Sequence, residues 1–308
     1  MSVFLGIDTS NYTTSAALYD TENDRIVMEK RLLPVKSGEL GLKQSDAVFQ
    51  HIKQLPQLLE RLFGQCQMSV AGVGVSVTPR RSEGSYMPCF LVGSAVASSI
   101  SSALSVPKYE FSHQEGHIMA ALYSAGHLEL LQDEFYAFHL SGGTTECLSV
   151  KYRQGLFEVK LLASSLDLKA GQAVDRVGVM LGLPFPAGKY LDEMACRCTD
   201  KVSVRPCMKG LDCSLSGVEN QCRRMLEQGV PKEQIARYCI EYICETVSCM
   251  TEGIFAAYGV KPVVYAGGVM SNSMIQREIS TRFGGYFAAP AFSSDNSAGI
   301  AVLASMME

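Results

Sequence analysis

The chain has 308 residues, 47% of them hydrophobic and 19% charged. That balance is ordinary for a soluble globular protein, and at this length one hydrophobic core usually gives way to two. A formal charge of -4 and a pI near 5.8 exclude a global basic field of the kind that draws a protein onto nucleic acid. Eleven cysteines, an odd number with no CxxC pair, argue for reduced thiols in a cytoplasmic chain and against a disulfide framework. The first residues lack a basic run before their apolar stretch, so no targeting segment is expected.

Val3 to Ile7 reads as a short apolar strand that enters the polar turn Asp8-Thr9-Ser10-Asn11-Tyr12-Thr13-Thr14. Strands at 15–19 and 26–28 follow. Val48, Ile52, Leu55, Leu58, Leu59 and Leu62 then repeat at three and four residues, the period of an amphipathic helix, and Pro56 predicts a kink or break in it. Val70 to Val77 is the next strand. Cys89 to Val106 is small and apolar but carries six serines, which reads as a buried helix and not a membrane span. His113 and His117 lie four residues apart, on one face if the segment is helical. Phe135 to Leu140 is again an apolar strand. It ends in Ser141-Gly142-Gly143-Thr144-Thr145, and strands at 146–150 and 156–162 follow. Gly171 to Arg176 and Gly182 to Asp192 are glycine- and proline-shaped turns beside helices. Pro262 to Gly268 is a late strand ending in Gly267-Gly268, followed by Asn272.

The order strand, strand, strand, helix thus occurs twice, each time continuing into a further strand. We expect an α/β protein of two similar halves, residues 1–130 and 131–295, with a last helix over 296–308 packing back on the first. Two such halves flank a cleft, and each presents a Ser/Thr/Gly turn whose backbone N–H groups can cradle phosphate. This is the layout of the actin-like ATPase (ASKHA) superfamily, a duplicated fold of two RNase H-like halves around a nucleotide cleft. Asp175 and Asp192 can accept hydrogen bonds from ribose hydroxyls, although either one alone reads as readily as a solvated helix residue. Two imidazoles at this spacing can reach one metal ion, and Asp295 can supply a third ligand, leaving positions open for chemistry. The competing reading of the pair is two surface histidines on an amphipathic helix.

Taken in order, these segments resemble one family over nearly the whole chain: the TsaD/Gcp family, the tRNA threonylcarbamoyladenosine synthases. Its metal motif, two histidines around Leu-Glu-Gly, stands here as His113-Gln114-Glu115-Gly116-His117. Its Ser-Gly-Gly phosphate turn is Ser141-Gly142-Gly143, flanked by Leu140 and Thr144. Its Gly-Glu-Ala-Phe-Asp segment matches Gly171 to Asp175, and its Tyr-Pro-Gly-Gly segment matches Phe185 to Gly188, with the next contact aspartate at Asp192. Ser214 to Val218 is similar to Ser-Phe-Ser-Gly-Leu, and Gly267, Gly268 and Asn272 match Gly-Gly-Val-Ala-Ala-Asn. The metal aspartate falls on Asp295. The chain also departs from the family. Asn11-Tyr12-Thr13 replaces Cys-Asp-Glu, Thr144 replaces a histidine, Glu219 replaces a lysine, and Thr78 to Ser85 replaces a Gly-Pro-Gly-rich loop. The pattern reads as a divergent paralogue.

The resemblance implies metal-dependent acyl transfer, from a threonylcarbamoyl adenylate to an adenine of tRNA. The cofactors it implies are one divalent metal, iron or zinc, on His113, His117 and Asp295, and an adenine nucleotide (ATP, AMP or the acyl-adenylate). Leu140, Ser141, Gly142, Gly143, Thr144, Asp175, Gly188, Asp192, Gly267, Gly268 and Asn272 are the expected nucleotide contacts. The expected partners are the adenylate, tRNA delivered through partner proteins, and a homo- or heterodimeric mate, with no membrane. Carbamoyl transfer to another acceptor and a non-catalytic ATPase or scaffold are the alternatives. Gln114 stands where a zinc protease of the HExxH kind has its glutamate, which argues against a protease.

Overall fold

A computed structural model describes residues 2–10, 12–34, 42–65, 69–200, 202–293 and 297–308. The chain divides into two compact units, Met1–Ser124 with Ser294–Glu308, and Ala125–Ser293. The division falls at the end of the histidine-bearing helix. The short turn of helix at Leu128–Gln132, with Leu130 and Leu131 buried, goes with the second unit.

The first unit holds β1 (Val3–Ser10), β2 (Thr13–Asp20), β3 (Arg25–Leu32), α1 (Gln44–Gln65), β4 (Val70–Thr78), α2 (Phe90–Leu104), β5 (Lys108–Ser112) and α3 (His113–Ala125). Its sheet has the order β3-β2-β1-β4-β5. The first three strands are antiparallel, and β4 and β5 run parallel to β1. The second unit holds β6 (Phe135–Leu140), β7 (Thr145–Arg153), β8 (Leu156–Ser164), α4 (Ala170–Met180), α5 (Gly188–Ala195), the small hairpin β9 (Cys207–Lys209) and β10 (Asp212–Ser214), α6 (Ser216–Glu227), α7 (Lys232–Tyr258), β11 (Val263–Ala266), α8 (Ser273–Phe283) and β12 (Tyr286–Phe287). Its sheet, read from the other edge, is β8-β7-β6-β11-β12, again three antiparallel strands and then two parallel ones. The two sheets therefore have one topology, and the duplication expected from the sequence is present strand for strand.

Helix α9 (Ser297–Ser305) belongs to the first unit and is buried from Ser297 to Ala304. Side chains alternate along β1. Val3, Leu5 and Ile7 join Leu55 and Leu62 of α1 and Val92 and Ala97 of α2 in one core. Gly6, on the opposite face, meets α9, and a Cβ there would overlap the Ser297 carbonyl. Gly299 of α9 in turn lies on α3, where a Cβ would overlap the Gly116 carbonyl. Missing side chains thus let α9 seat between the sheet and α3. Asp8 shares the Gly6 face, which aims it at α3. In the second unit, Tyr136, Phe138 and Leu140 of β6 point into a core built largely on Ile235, Cys239, Ile243 and Val247 of α7.

Three local expectations need correction. Helix α1 runs unbroken through Pro56, which lies on its exposed side, so the carbonyl of Ile52 that loses its partner can reach water. Its buried stripe is Ala47, His51, Leu55, Leu58 and Leu62, while Ile52 is 56% exposed. His51 enters the core because the buried Thr14 hydroxyl hydrogen-bonds it (2.8 Å to Nδ1) and Gln54 Oε1 (3.0 Å). Helix α2 is one-sided and not buried: Phe90, Val92, Gly93 and Ala97 face inward and the serines line the wetter side. The ten described cysteines are free and seven of them are buried, which makes them small apolar filler. Among the described residues, no helix is long and apolar enough to cross a membrane.

Candidate functional site

In the second unit, β6 and β11 are parallel neighbours with Ala266 opposite His139, so both strands end on one edge. The turn leaving β6 is closed by Ser141 N–H donating to the Thr144 carbonyl (2.8 Å). The Ser141 hydroxyl oxygen accepts from Gly143 N–H (3.3 Å) and Thr144 N–H (3.1 Å), so one side chain fixes the turn's shape. The start of α4 docks on it. Gly171 N–H donates to the Ser141 carbonyl (3.0 Å), and Ala170 N–H to the Thr145 hydroxyl (2.8 Å). A Cβ on Gly171 would overlap Gly142 N, and one on Gly267, at φ +94°, would overlap the Leu140 carbonyl. Three segments distant in sequence therefore meet backbone to backbone.

Gly142, Gly143 and Gly268 differ from those two. Open space surrounds the Cβ position of each, and none has the positive φ that favours glycine. The fold makes no steric demand for glycine there, whereas a ligand lying on the backbone would. Turn N–H groups next to the N-terminus of α4 give this edge the polarity that favours an anion.

The expected polar contacts are already engaged with the protein. Asp175 on α4 accepts from Ala187 N–H (2.8 Å), which ties down the segment before Gly188. Burial pushes its carboxyl up, and that one N–H only partly offsets the rise. Asp192 on α5 accepts from Ser273 N–H (3.1 Å) and from the Ser273 hydroxyl (3.3 Å). Asn272 Oδ1 caps α8, accepting from Met274 and Ile275 N–H (both 3.1 Å). Asp192 and Asn272 are thus brought to one helix end. No direct bond joins Asp175 to either.

In the first unit the HQEGH segment is helical, which puts His113 and His117 on neighbouring turns of α3. Ser112 and Glu115 form the reciprocal cap that opens α3: Glu115 N–H donates to the Ser112 hydroxyl (3.3 Å), and Ser112 N–H to Glu115 Oε2 (2.6 Å). Arg81 Nε reaches both Glu115 oxygens at 2.8 Å. The loop that departs from the family is thereby fastened to the histidine helix, and Glu115 is held as a cap. Of the first residues of α3, His113, Gln114 and His117 keep partial exposure while Glu115 and Gly116 are buried. The two imidazoles lie 4.7 Å apart between ring centroids, edge to face.

His113 Nδ1 lies 2.8 Å from Asp8 Oδ2, and Asp8 Oδ1 accepts from Ser10 N–H (2.8 Å). Burial alone would push the Asp8 carboxyl up. The charge and hydrogen bond of His113, with the hydrogen bond from Ser10 N–H and the nearby Ser76 hydroxyl, more than offset that and hold it below the ordinary carboxylate value. A carboxylate behind an imidazole is the usual support of a metal-binding histidine, so this donor set fits a metal ion. Asp295 lies outside the described residues. Among those described, no three His, Cys, Asp or Glu side chains converge as a ligand set.

Sequence reasoning missed Asp8, Arg81 and Ser273. The Ser-x-x-Glu spacing before an apolar run announced the cap at Ser112. Nothing local announced the partners of Asp8 or Arg81, which lie 105 and 34 residues away.

Two like-ordered sheets, with glycine turns at the ends of the parallel strands, define the actin-like ATPase fold. Solved structures of that fold align over nearly the whole chain. T. kodakarensis HypF has a TM-score of 0.61 at 12% identity, covering 99% of this chain and 47% of that one. A ROK family glucokinase from Streptomyces griseus, in complex with glucose and AMPPNP, has a TM-score of 0.53 at 12% identity, covering 99% and 98%. Residues 37–302 match the family model for TsaD, tRNA N6-adenosine threonylcarbamoyltransferase, and the chain belongs to that family. The tRNA N6-adenosine threonylcarbamoyltransferase of Persephonella marina (strain DSM 14350 / EX-H1) is 28% identical over 287 residues, covering 89% of this chain and 79% of that protein.

Proposed function

We propose that this chain transfers a threonylcarbamoyl group from its adenylate to the N6 amine of an adenosine in tRNA. The observation that carries the reading is the edge at Ser141 to Thr144, where glycine is kept at Gly142, Gly143 and Gly268 without a steric need for it. There the turn N–H groups and the start of α4 hold the adenylate phosphate and fix the leaving group's orientation. Asp175, Asp192 and Asn272 present polar atoms to the nucleoside, with Gly188 leaving backbone open beside it. The amine nitrogen bonds to the carbamoyl carbon, the bond from that carbon to the phosphate oxygen breaks, the amine loses a proton, and AMP departs.

A divalent metal, iron or zinc, would be held by His113, His117 and, by the family's motif, Asp295, and when bound it supplies a Lewis acid for the oxygen that gains charge. His113 and His117 would contribute neutral ring nitrogens to it. With a net charge of -4, the chain relies on a partner protein for much of the field that draws tRNA.

The test mixes purified chain, threonylcarbamoyl adenylate, zinc or iron(II) and unmodified tRNA, and follows AMP and the modified nucleoside. Both should appear in equal amounts. AMP without modified tRNA, in the presence of the partner proteins, would move the reading to carbamoyl-type transfer onto another acceptor. Neither product would overturn it.

A further inference from the structure

Helix α4 starts on the Ser141–Thr144 turn and carries polar residues along its outward side. Lys169 precedes its first residue, and Gln172 and Arg176 follow at spacings of three and four, both exposed. Lys169 Nζ donates to the Ser165 carbonyl (2.9 Å), which keeps a cation at that end. From there to Arg176 the helix rises about 10 Å. Helix α6 continues the row. Arg176 Nη1 and Arg223 Nη2 both donate to Glu219, at 3.1 Å to Oε2 and 2.9 Å to Oε1. The two arginine side chains stay 57% and 56% exposed, and Glu219 is 19% exposed. Arg224, next along α6, is exposed too, and Glu227 ends the helix. One carboxylate shared by two guanidinium groups cancels only one of their charges. The carboxylate of Asp167, at the start of α6, is engaged by Leu215 N–H, Ser216 N–H and the Ser216 hydroxyl. Exposed ion pairs add little to stability, so the fold itself does not need two arginines on one glutamate.

We infer that Lys169, Arg176, Arg223 and Arg224 form a phosphate track on which the backbone of the acceptor RNA lies as it reaches the turn at Ser141 to Thr144. The inference rests on the tRNA reading of the site and names the surface of this chain that meets the RNA. Guanidinium groups keep their charge at every working pH and can pair with phosphate through two N–H donors. Such contacts position a strand and carry no sequence information, so the track sets where the RNA lies and not which base reacts. Glu219 tempers it. That residue stands where the family has a lysine, so the centre of the track carries an anion in place of a cation.

The experiment measures binding of fluorescently labelled, unmodified tRNA to the full chain by anisotropy, between about 50 and 200 mM salt. Four proteins are compared: wild type, Arg176→Gln with Arg223→Gln, Glu219→Gln, and Arg61→Gln with Arg237→Gln. The last removes two cations and two ion pairs elsewhere on the chain and so controls for net charge. The Arg176 and Arg223 variant should bind about tenfold more weakly at the lowest salt, with a salt slope shallower by about two. Glu219→Gln should bind a few-fold more tightly, a gain that misfolding cannot mimic. The control should stay within about twofold of wild type, and AMP affinity should be the same in all four. Equal tRNA affinity and slope in wild type and the Arg176 and Arg223 variant would overturn the inference and leave the tRNA reading standing. So would an equal loss in the control, or weaker binding by Glu219→Gln. A parallel loss of AMP affinity would place the arginines in the nucleotide pocket and overturn it as well. No binding of tRNA by wild type at the lowest salt also overturns it, and the modified-nucleoside assay with partner proteins then decides separately whether tRNA is the acceptor.

Discussion

The two units repeat one strand order but build their candidate sites from different material. In the first, the site is side chains: His113 and His117 on α3, with Asp8 buried behind one of them. In the second it is mostly main chain: the Ser141–Thr144 turn, the start of α4 and Gly267, set against one another with no Cβ between them. A side-chain site fails when a functional group is removed. A main-chain site fails when an atom is added. Two halves with one strand order therefore tolerate opposite kinds of substitution, which gives the comparison its tests.

The largest effect is expected where a side chain is removed over a buried charge. His113→Ala strips Asp8 of its partner and should cost about 1.5–3 kcal/mol or more in chemical denaturation, because the carboxylate stays buried. His117→Ala removes a partly exposed ring from α3 and should cost under about 1 kcal/mol. Equal losses would erase the distinction between the two histidines. Next is the addition of an atom. Gly267→Ala needs a positive φ and meets the Leu140 carbonyl, so a loss of about 2 kcal/mol is expected. An unchanged melting temperature would show that the turns are not locked together. Third, Asp175→Ala should weaken AMP binding about ten- to a hundredfold by calorimetry, as expected for one charged hydrogen bond. Unaltered affinity would confine Asp175 to its structural bond with Ala187 N–H.

The smallest effect concerns His51. Burial holds its pKa below the usual histidine value, although the Ser10 backbone and the Asp8 charge pull the other way. The folded protein therefore carries it neutral where the unfolded chain would protonate it. Below about pH 6.5 the unfolded state binds the extra proton, so stability falls as pH drops from there toward the folded pKa. Wild type should lose more stability between about pH 7.5 and 5.5 than His51→Gln. Parallel losses would remove His51 as the cause.

Much of this was legible in the sequence, for definable reasons. Phe135–Leu140 was read to the residue because a short apolar run ends abruptly at Ser-Gly-Gly. The pairing of the two histidines was read conditionally, as one face if the segment is helical, and α3 meets that condition. What escaped were contacts set by topology. His51 was invisible as a core residue because its partner Thr14 lies in another element. Asp8 looked like part of a polar turn, yet β1 extends through Ser10 and makes it a strand residue with a defined face. Helix α2 looked buried because small residues and serine read as apolar on average, whereas only one of its faces has a neighbour.

The most direct test adds one methyl group where the fold has room for it. In Gly143→Ala the new Cβ meets nothing, so stability should stay within about 0.5 kcal/mol of wild type. If the turn holds a nucleotide on its backbone, calorimetry should show AMP binding to wild type and at least about tenfold weaker binding to the variant. Equal affinity in the two proteins, or no binding by wild type, would contradict the account.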